Sequence, residues 1–238
     1  VKAFIISSSS EIARVANVTA LCNQLPEAEI IDAIYPSSTR VPFLDRLIAV
    51  SKKRTGRALL PAEIGCLLSH RKIWQRITQM KSNETEAFLV LESDSIINDL
   101  KLLNSFFTNS SYLYKYDLFF FGAWLGHMKL LKSTRKKIDH NYSIGEPFIK
   151  TVYCTYGYSI NAKAAAYLLK QTKQIAFPVD QFKYFVEPGR INIGGIVPEL
   201  ISGGNMGSYI NQTSTKFWQR KLFMHLLDIK NNIICFFK

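Results

Sequence analysis

"FLVLESDSII", residues 88–97, decides how this chain is to be read. Four apolar residues, Phe88 to Leu91, run straight into two acids, Glu92 and Asp94, separated only by Ser93. A continuous apolar run of this kind suits a strand buried on both faces, as in a parallel sheet covered by helices. Acids just past the carboxyl end of such a strand fall where open α/β sheets bind their ligands. A carboxylate pair there can hold a divalent cation, and the cation a diphosphate. A polar strand end, solvated or capping the next turn, explains the same residues, and the acids alone do not choose.

The flanking sequence supplies the rest of an α/β pattern. "KAFIIS" reads as a first strand. A helix comes next over "SSEIARVANVTALCNQL", with a serine as N-cap and Ile12, Val15, Val18 and Cys22 at helical spacing. "AEIIDAIY" is a second strand. "LPAEIGCLLSHRKIWQRITQM" is the clearest helix: Pro61 suits the first helical position, Glu63 the first turn, and Ile64, Leu67, Leu68, Trp74 and Ile77 form an apolar stripe. "YDLFFFG" (116–122) is a further buried strand. "HMKLLKSTRKKIDHNYSIGEPF" lacks a period and reads as a long loop over the sheet. "TVYCTYGYSI" is a strand, and Asn161 caps the helix "AKAAAYLLKQ". After Pro178, glycines and prolines point to short strands and loops. The expectation is one domain over residues 1–215 with a mostly parallel central sheet flanked by helices, followed by a distinct tail at 216–238.

The totals narrow the function. Of 238 residues, 47% are hydrophobic and 20% charged, which is a globular composition and not a disordered one. The net charge of +12 favours anionic partners: nucleic acid, anionic lipid or phosphorylated small molecules. No recognised nucleic-acid motif is present, so no nucleic-acid partner is expected, and a basic nucleic-acid-binding module stands only as the non-enzymatic rival reading. Among the four cysteines no pair has C-x-x-C spacing, and no His/Cys cluster points to zinc, so free thiols are expected. The opening apolar run is too short for a signal-peptide core, and no stretch is long enough to cross a bilayer, which suggests a cytoplasmic protein.

Two further stretches carry candidate chemistry. In "EIGCLLSH" (63–70), Glu63, Cys66 and His70 fall along one helical stripe, and Gly65 costs the helix about 1 kcal/mol against Ala. A helix accepts that where a backbone or a ligand must come close. The plain alternative is a surface stripe with an ordinary helical histidine. In "FPVDQF" (177–182), Asp180 is a general base, a metal ligand, or an N-cap for the next segment.

Taken in order, "FIIS" with Arg14, "IIDAI", "EIGCLLSH", "LVLESD", "TYGYSINAKAAAYLL" and "PVD" resemble glycosyltransferase family 25 of bacterial lipooligosaccharide biosynthesis, over residues 1 to about 210. The family usually has Glu-Asp-Asp at the strand end, and Ser93 departs from it at the middle position. The resemblance implies a GT-A-like fold and inverting transfer of galactose or glucose from a UDP-sugar to a lipooligosaccharide acceptor, assisted by Mn2+ or Mg2+. It implies Asp94 as metal ligand, Glu92 as a second ligand or donor contact, and Asp180 as general base. It places Glu63, Ser69 and His70 at the border of the donor pocket, and Tyr156 and Gly157 at the sugar.

The tail, "KFWQRKLFMHLLDIKNNIICFFK", sets Phe217, Trp218, Leu222, Phe223, Leu226, Leu227 and Ile229 among Lys216, Arg220, Lys221 and Lys230. Such an amphipathic segment suits the anionic inner face of a bacterial inner membrane, or a terminal helix packed on the core. A nucleotidyltransferase is the rival enzyme reading, but "SSSS" stands where an early Gly-rich phosphate loop would be.

Overall fold

The computed structural model describes residues 1–81, 83, 85–123, 126–204 and 217–238, the side chains of 110, 111 and 217–226 lying outside the description. The elements run β1 (Ala3–Ser7), α1 (Val15–Gln24), β2 (Ala28–Asp32), α2 (Leu44–Thr55), α3 (Pro61–Gln79), β3 (Phe88–Glu92), β4 (Ser95–Ile97), α4 (Leu100–Thr108) and α5 (Ser110–Leu113). They continue through β5 (Leu118–Phe120), β6 (Lys136–Lys137), β7 (Ser143–Gly145), β8 (Gly157–Ile160), α6 (Ala162–Gln171), β9 (Ile193–Val197), β10 (Ile201–Gly203) and α7 (Phe217–Phe237).

Eight strands form the central sheet in the order β2-β1-β3-β8-β5-β9-β7-β6, and β4 pairs with β10 beside it. β1 runs parallel to β2 and β3, and β5 parallel to β9, while β8 is antiparallel to both β3 and β5. The sheet is thus α/β and mostly parallel in strand direction, with β8 and β7 reversed. The 127–148 stretch, expected as a loop, instead adds the β6–β7 hairpin to the sheet edge.

The buried strands send alternate residues to two cores. Phe4, Ile6, Phe88, Val90, Leu118, Phe120, Tyr158 and Ile160 pack with α3 and α6 on one face. Ala3, Ile5, Leu89, Leu91 and Phe119 pack with α1 and α4 on the other. Both halves of each period-two pattern are buried, which is why these strands read as uninterrupted apolar runs.

Local signals held to different degrees. Pro61 opens α3, and the Glu63 side chain accepts the Leu60 N–H at 2.8 Å, completing the helix start. Asn161 accepts the Ala164 N–H at 2.9 Å and caps α6 as expected. The first helix differs: a 3₁₀ turn over Ile12–Arg14 precedes α1, and no serine caps it. Ile12 and Val15 are exposed, and α1 buries Val18 and Leu21 instead. The reason is Glu11, which is buried and accepts from the Ser8 N–H at 3.1 Å, turning the chain before the helix begins.

Gly65 explains itself by contact. A β-carbon there would stand 2.2 Å from the Ile34 carbonyl oxygen, because the chain leaving β2 crosses α3 at this point. Ser69, one turn on, donates to the Gly65 carbonyl and accepts the Ile34 N–H, both at 2.8 Å, which locks the crossing. Gly65→Ala, which should favour an isolated helix by about 1 kcal/mol, is expected here to destabilise the protein by about 1–3 kcal/mol. Urea unfolding checks the sign, and a raised midpoint would contradict the close crossing.

Candidate functional site

The carboxyl ends of the parallel strands β1 and β3 lie side by side, and the chain beyond each supplies the polar groups. After β1 come Glu11 and Arg14; after β3 come Ser93 and Asp94. Arg14 joins the two. Its guanidinium donates to Glu11 Oε1 at 3.3 Å, to Ser93 Oγ at 2.9 Å and to Asp94 Oδ2 at 2.9 Å. Asn17, one turn into α1, donates to the carbonyls of Ser93 at 2.8 Å and Ser95 at 2.9 Å. The acid turn is therefore held from beneath by α1. Ser93 is buried against Arg14. At the position where the family usually carries an acid, the side chain points into this support.

Glu92 is held by a different device. Trp74 Nε1–H donates to the Tyr158 hydroxyl at 2.9 Å, and that hydroxyl lies 2.9 Å from His70 Nδ1. His70 Nε2 lies 3.2 Å from Glu92 Oε1, and Thr155 donates to the same oxygen. With Tyr158 accepting from Trp74, its own O–H goes to Nδ1, and the neutral imidazole offers Nε2–H to Glu92. Burial works to raise the Glu92 pKa, but the hydrogen bonds from His70 and Thr155 and the positive charge of Arg14 outweigh it and hold the carboxyl below its usual range.

Asp94 and Asp180 behave oppositely. Burial, then the charge of Glu92, lifts Asp94 to about 6 against the pull of Arg14. Burial, then the charges of Glu63 and Glu92, lifts Asp180 to about 6 against the pull of Arg57. One oxygen of each, Asp94 Oδ1 and Asp180 Oδ1, is buried with no hydrogen-bond partner among the described residues. Buried acceptors are nearly always satisfied, so two orphans close to one ionised acid mark where a ligand's hydroxyls or a cation would sit. Hard carboxylate oxygens are the donor type that Mg2+ and Mn2+ take.

The remaining expected residues sort by what they touch. Glu63 binds Arg57 through two hydrogen bonds, at 2.7 and 3.0 Å, and acts on Asp180 only through its charge. Ser69 and His70, expected to border the pocket, are fully buried; Ser69 locks the Ile34 crossing and His70 acts through Glu92. Tyr156 is buried and its hydroxyl donates to Glu199, while its carbonyl accepts from Ser95 Oγ. Gly157 makes room for Ile201 of β10, whose Cγ2 would stand 2.6 Å from an added β-carbon, so its vacancy is filled by protein and not left for a sugar. Asp180 does not cap the 3₁₀ turn Phe182–Tyr184 that follows: its N-cap position is Gln181, and no side chain caps it. Asn17, Thr155 and Tyr158 escaped the sequence reading, since their partners lie far along the chain, and so did Arg57, although its partner Glu63 is only six residues on. Two concavities elsewhere, around Lys2 and Tyr114 and around Arg54 and Tyr184, contain none of the acid cluster.

Comparison with known proteins gives the family. The model of "Glycosyltransferase family 25 (LPS biosynthesis protein)" matches residues 1–183, a stretch that contains every candidate site residue. A "Glycosyltransferase 25 family member" of Anopheles gambiae is 32% identical over 133 residues, covering 53% of this chain and 20% of the relative. A protein of the same description from Drosophila pseudoobscura pseudoobscura is 29% identical over 142 residues, covering 53% of this chain and 19% of its own. The matched part thus spans about a fifth of the length of these curated relatives.

The raised carboxyls carry a stability signature. Between the ordinary value of 3.8 and about 6, the folded chain binds more protons at Asp180 than the unfolded chain does, so stability falls as pH rises through that window. Asp180→Asn removes the buried charge and is expected to stabilise the fold at pH 7 by about 1–3 kcal/mol. The gain should vanish near pH 4, where Asp180 is protonated. Denaturant melts at the two pH values check this; equal effects at both would remove the buried-charge account.

Proposed function

The chain belongs to glycosyltransferase family 25, and from that premise we propose that it moves a hexose, galactose or glucose, from a UDP-sugar to a lipooligosaccharide glycan with inversion at the anomeric carbon. The observation that carries the reading is the pair of unpartnered buried oxygens, Asp94 Oδ1 and Asp180 Oδ1, in the field of Glu92. Family membership favours glycosyl transfer over the nucleotidyltransferase and nucleic-acid alternatives.

Asp180 is the general base of the proposed reaction. Its carboxylate takes the proton of the acceptor hydroxyl while that oxygen bonds to the anomeric carbon and the bond to the UDP phosphate breaks. A pKa near 6 leaves Asp180 ionised at neutral pH yet basic enough to accept the proton. Asp94 and Glu92 are the residues that would hold Mn2+ or Mg2+, an ion that, when bound, neutralises charge on the departing diphosphate. Arg14 and Asn17 keep Asp94 turned so that one oxygen is engaged and the other is left without a protein partner among the described residues. The Tyr158–His70 pair keeps Glu92 ionised and oriented.

The C-terminal helix supplies the proposed contact with a lipid-linked acceptor. Its last turns are tied to the body by His127–Asp228 at 2.8 Å and by the Lys132 N–H to the Cys235 carbonyl at 3.0 Å. Ile229, Ile233, Phe236 and Phe237 stay exposed, beside the exposed Lys230 and Lys238. Apolar side chains flanked by lysines suit an anionic bilayer surface. Lys216 lies outside the described residues, and so do the side chains of Phe217, Trp218, Arg220, Lys221, Leu222, Phe223 and Leu226. No helix among the described residues is long and apolar enough to cross a membrane.

Calorimetric titration with UDP-galactose, UDP-glucose and UDP-N-acetylglucosamine, each with and without Mn2+, tests the donor. One of the first two is expected to bind, and more tightly with metal; indifference to Mn2+ would remove the ion from the proposal. Asp94→Ala should abolish transfer with the fold intact. Asp180→Asn should lower kcat by about 10²–10⁴ with little change in UDP binding; matched losses in both would assign Asp180 to donor binding instead. Vesicle sedimentation with anionic lipid should lose the protein when residues 216–238 are removed, and unchanged sedimentation would discard the membrane contact.

A further inference from the structure

Cys66 and His70 stand one turn apart on α3, and the fold carries the end of β3 to the same place. The Cys66 Sγ, a His70 ring nitrogen and a Glu92 carboxylate oxygen all lie within 4.8 Å of one another. Sulfur, imidazole and a single carboxylate do not make a hard-cation site; they are the donor set of zinc and its neighbours. Ligand atoms around a tetrahedral zinc ion with bonds near 2.0–2.3 Å stand about 3.5 Å apart; His70 Nε2 and Glu92 Oε1 are already 3.2 Å apart, and side-chain rotation of Cys66 brings in its sulfur. Two of the three ligands reach the surface, Cys66 being half-buried and the Glu92 side chain 25% exposed, while His70 is fully buried behind them.

The surroundings match those of a metal-binding histidine, whose second nitrogen is normally held by a hydrogen bond. Here Nδ1 is held at 2.9 Å by the Tyr158 hydroxyl, which leaves Nε2 directed at Glu92. We propose that Cys66, His70 and Glu92 form a binding site for a zinc-class divalent ion, which shares Glu92 with the hard-cation position proposed at Asp94 and Glu92. Three protein ligands leave the fourth position of a tetrahedral ion to water.

Binding has a definite proton balance. The Cys66 thiol loses its proton to solvent. The His70 proton shifts from Nε2 to Nδ1 and is then donated to the Tyr158 oxygen, which also accepts from Trp74 and whose own O–H gives up its bond to Nδ1. Glu92 is already ionised. One proton is therefore released per ion bound. In the ion's absence, burial and the charges of Glu92, Asp180 and Asp94 keep the thiol protonated against a hydrogen bond with Thr155. Apparent affinity is accordingly expected to rise about tenfold per pH unit near neutrality. Occupancy would also draw Glu92 away from the donor, an inhibition that rests on the proposed transfer reaction, whereas binding itself does not.

The test uses the full chain, with Co2+ as a spectroscopic stand-in and Zn2+ as the competitor. Bound Co2+ is expected to show a thiolate-to-metal charge-transfer band that Zn2+ abolishes. Cys66→Ser should lose that band and at least tenfold in Zn2+ affinity, while Cys22→Ser, on the opposite face of the sheet, keeps both. Should Cys66→Ser fail to fold, alkylation of the unaltered protein gives the answer, because Zn2+ should shield Cys66 and leave Cys22 labelled. A cobalt spectrum without thiolate character, or Cys66 alkylated equally with and without Zn2+, overturns the site whatever the transfer assays show.

Discussion

The candidate site depends on one buried guanidinium. Arg14 is enclosed where the segments leaving β1 and β3 meet, and it is bonded to Glu11, Ser93 and Asp94. A charge in that position is tolerable only because several acceptors surround it, and losing one partner of a buried pair costs about 3–5 kcal/mol. That cost ties the loop after the first strand to the turn after the third. It also explains the odd start of the first helix: Glu11 is pulled inside to meet Arg14, so the chain turns through a short 3₁₀ segment before α1 can form.

The two halves of the site are held by different chemistry. On one side a cation steadies Asp94 yet does not satisfy it. On the other, the chain from Trp74 through Tyr158 and His70 delivers hydrogen bonds to Glu92 and keeps it ionised. Three carboxyls in one neighbourhood thereby differ: Glu92 is depressed, while Asp94 and Asp180 are lifted to about 6. Unequal environments for neighbouring acids separate their roles at neutral pH. The lifted pair destabilises the fold at that pH, the usual cost of groups kept ready for a ligand.

Much of the frame was readable from the chain. The runs FLVLE and LFFF announced strands buried on both faces, Pro61 and Asn161 marked helix starts, and Gly65 signalled a close approach that proved to be the Ile34 carbonyl. Other readings failed for identifiable reasons. Ile12 and Val15 have helical spacing but face solvent, because the chain turns at the buried Glu11 through a 3₁₀ segment before α1 begins. Gly157 resembled room for a sugar and is room for Ile201. The β6–β7 hairpin is so short and polar that no periodicity could reveal it.

The sequence by itself determined the α/β alternation, the position of the acids beyond a buried strand, and the family, because these are encoded in runs of adjacent residues. Only the tertiary structure decided that His70 acts through Glu92, that Ser93 faces Arg14 and not the ligand side, and that Cys66, His70 and Glu92 meet. Those facts depend on hydrogen bonds across 22 to 88 positions. Such pairings carry no local signature, since each exists only after the sheet has set its strands in register.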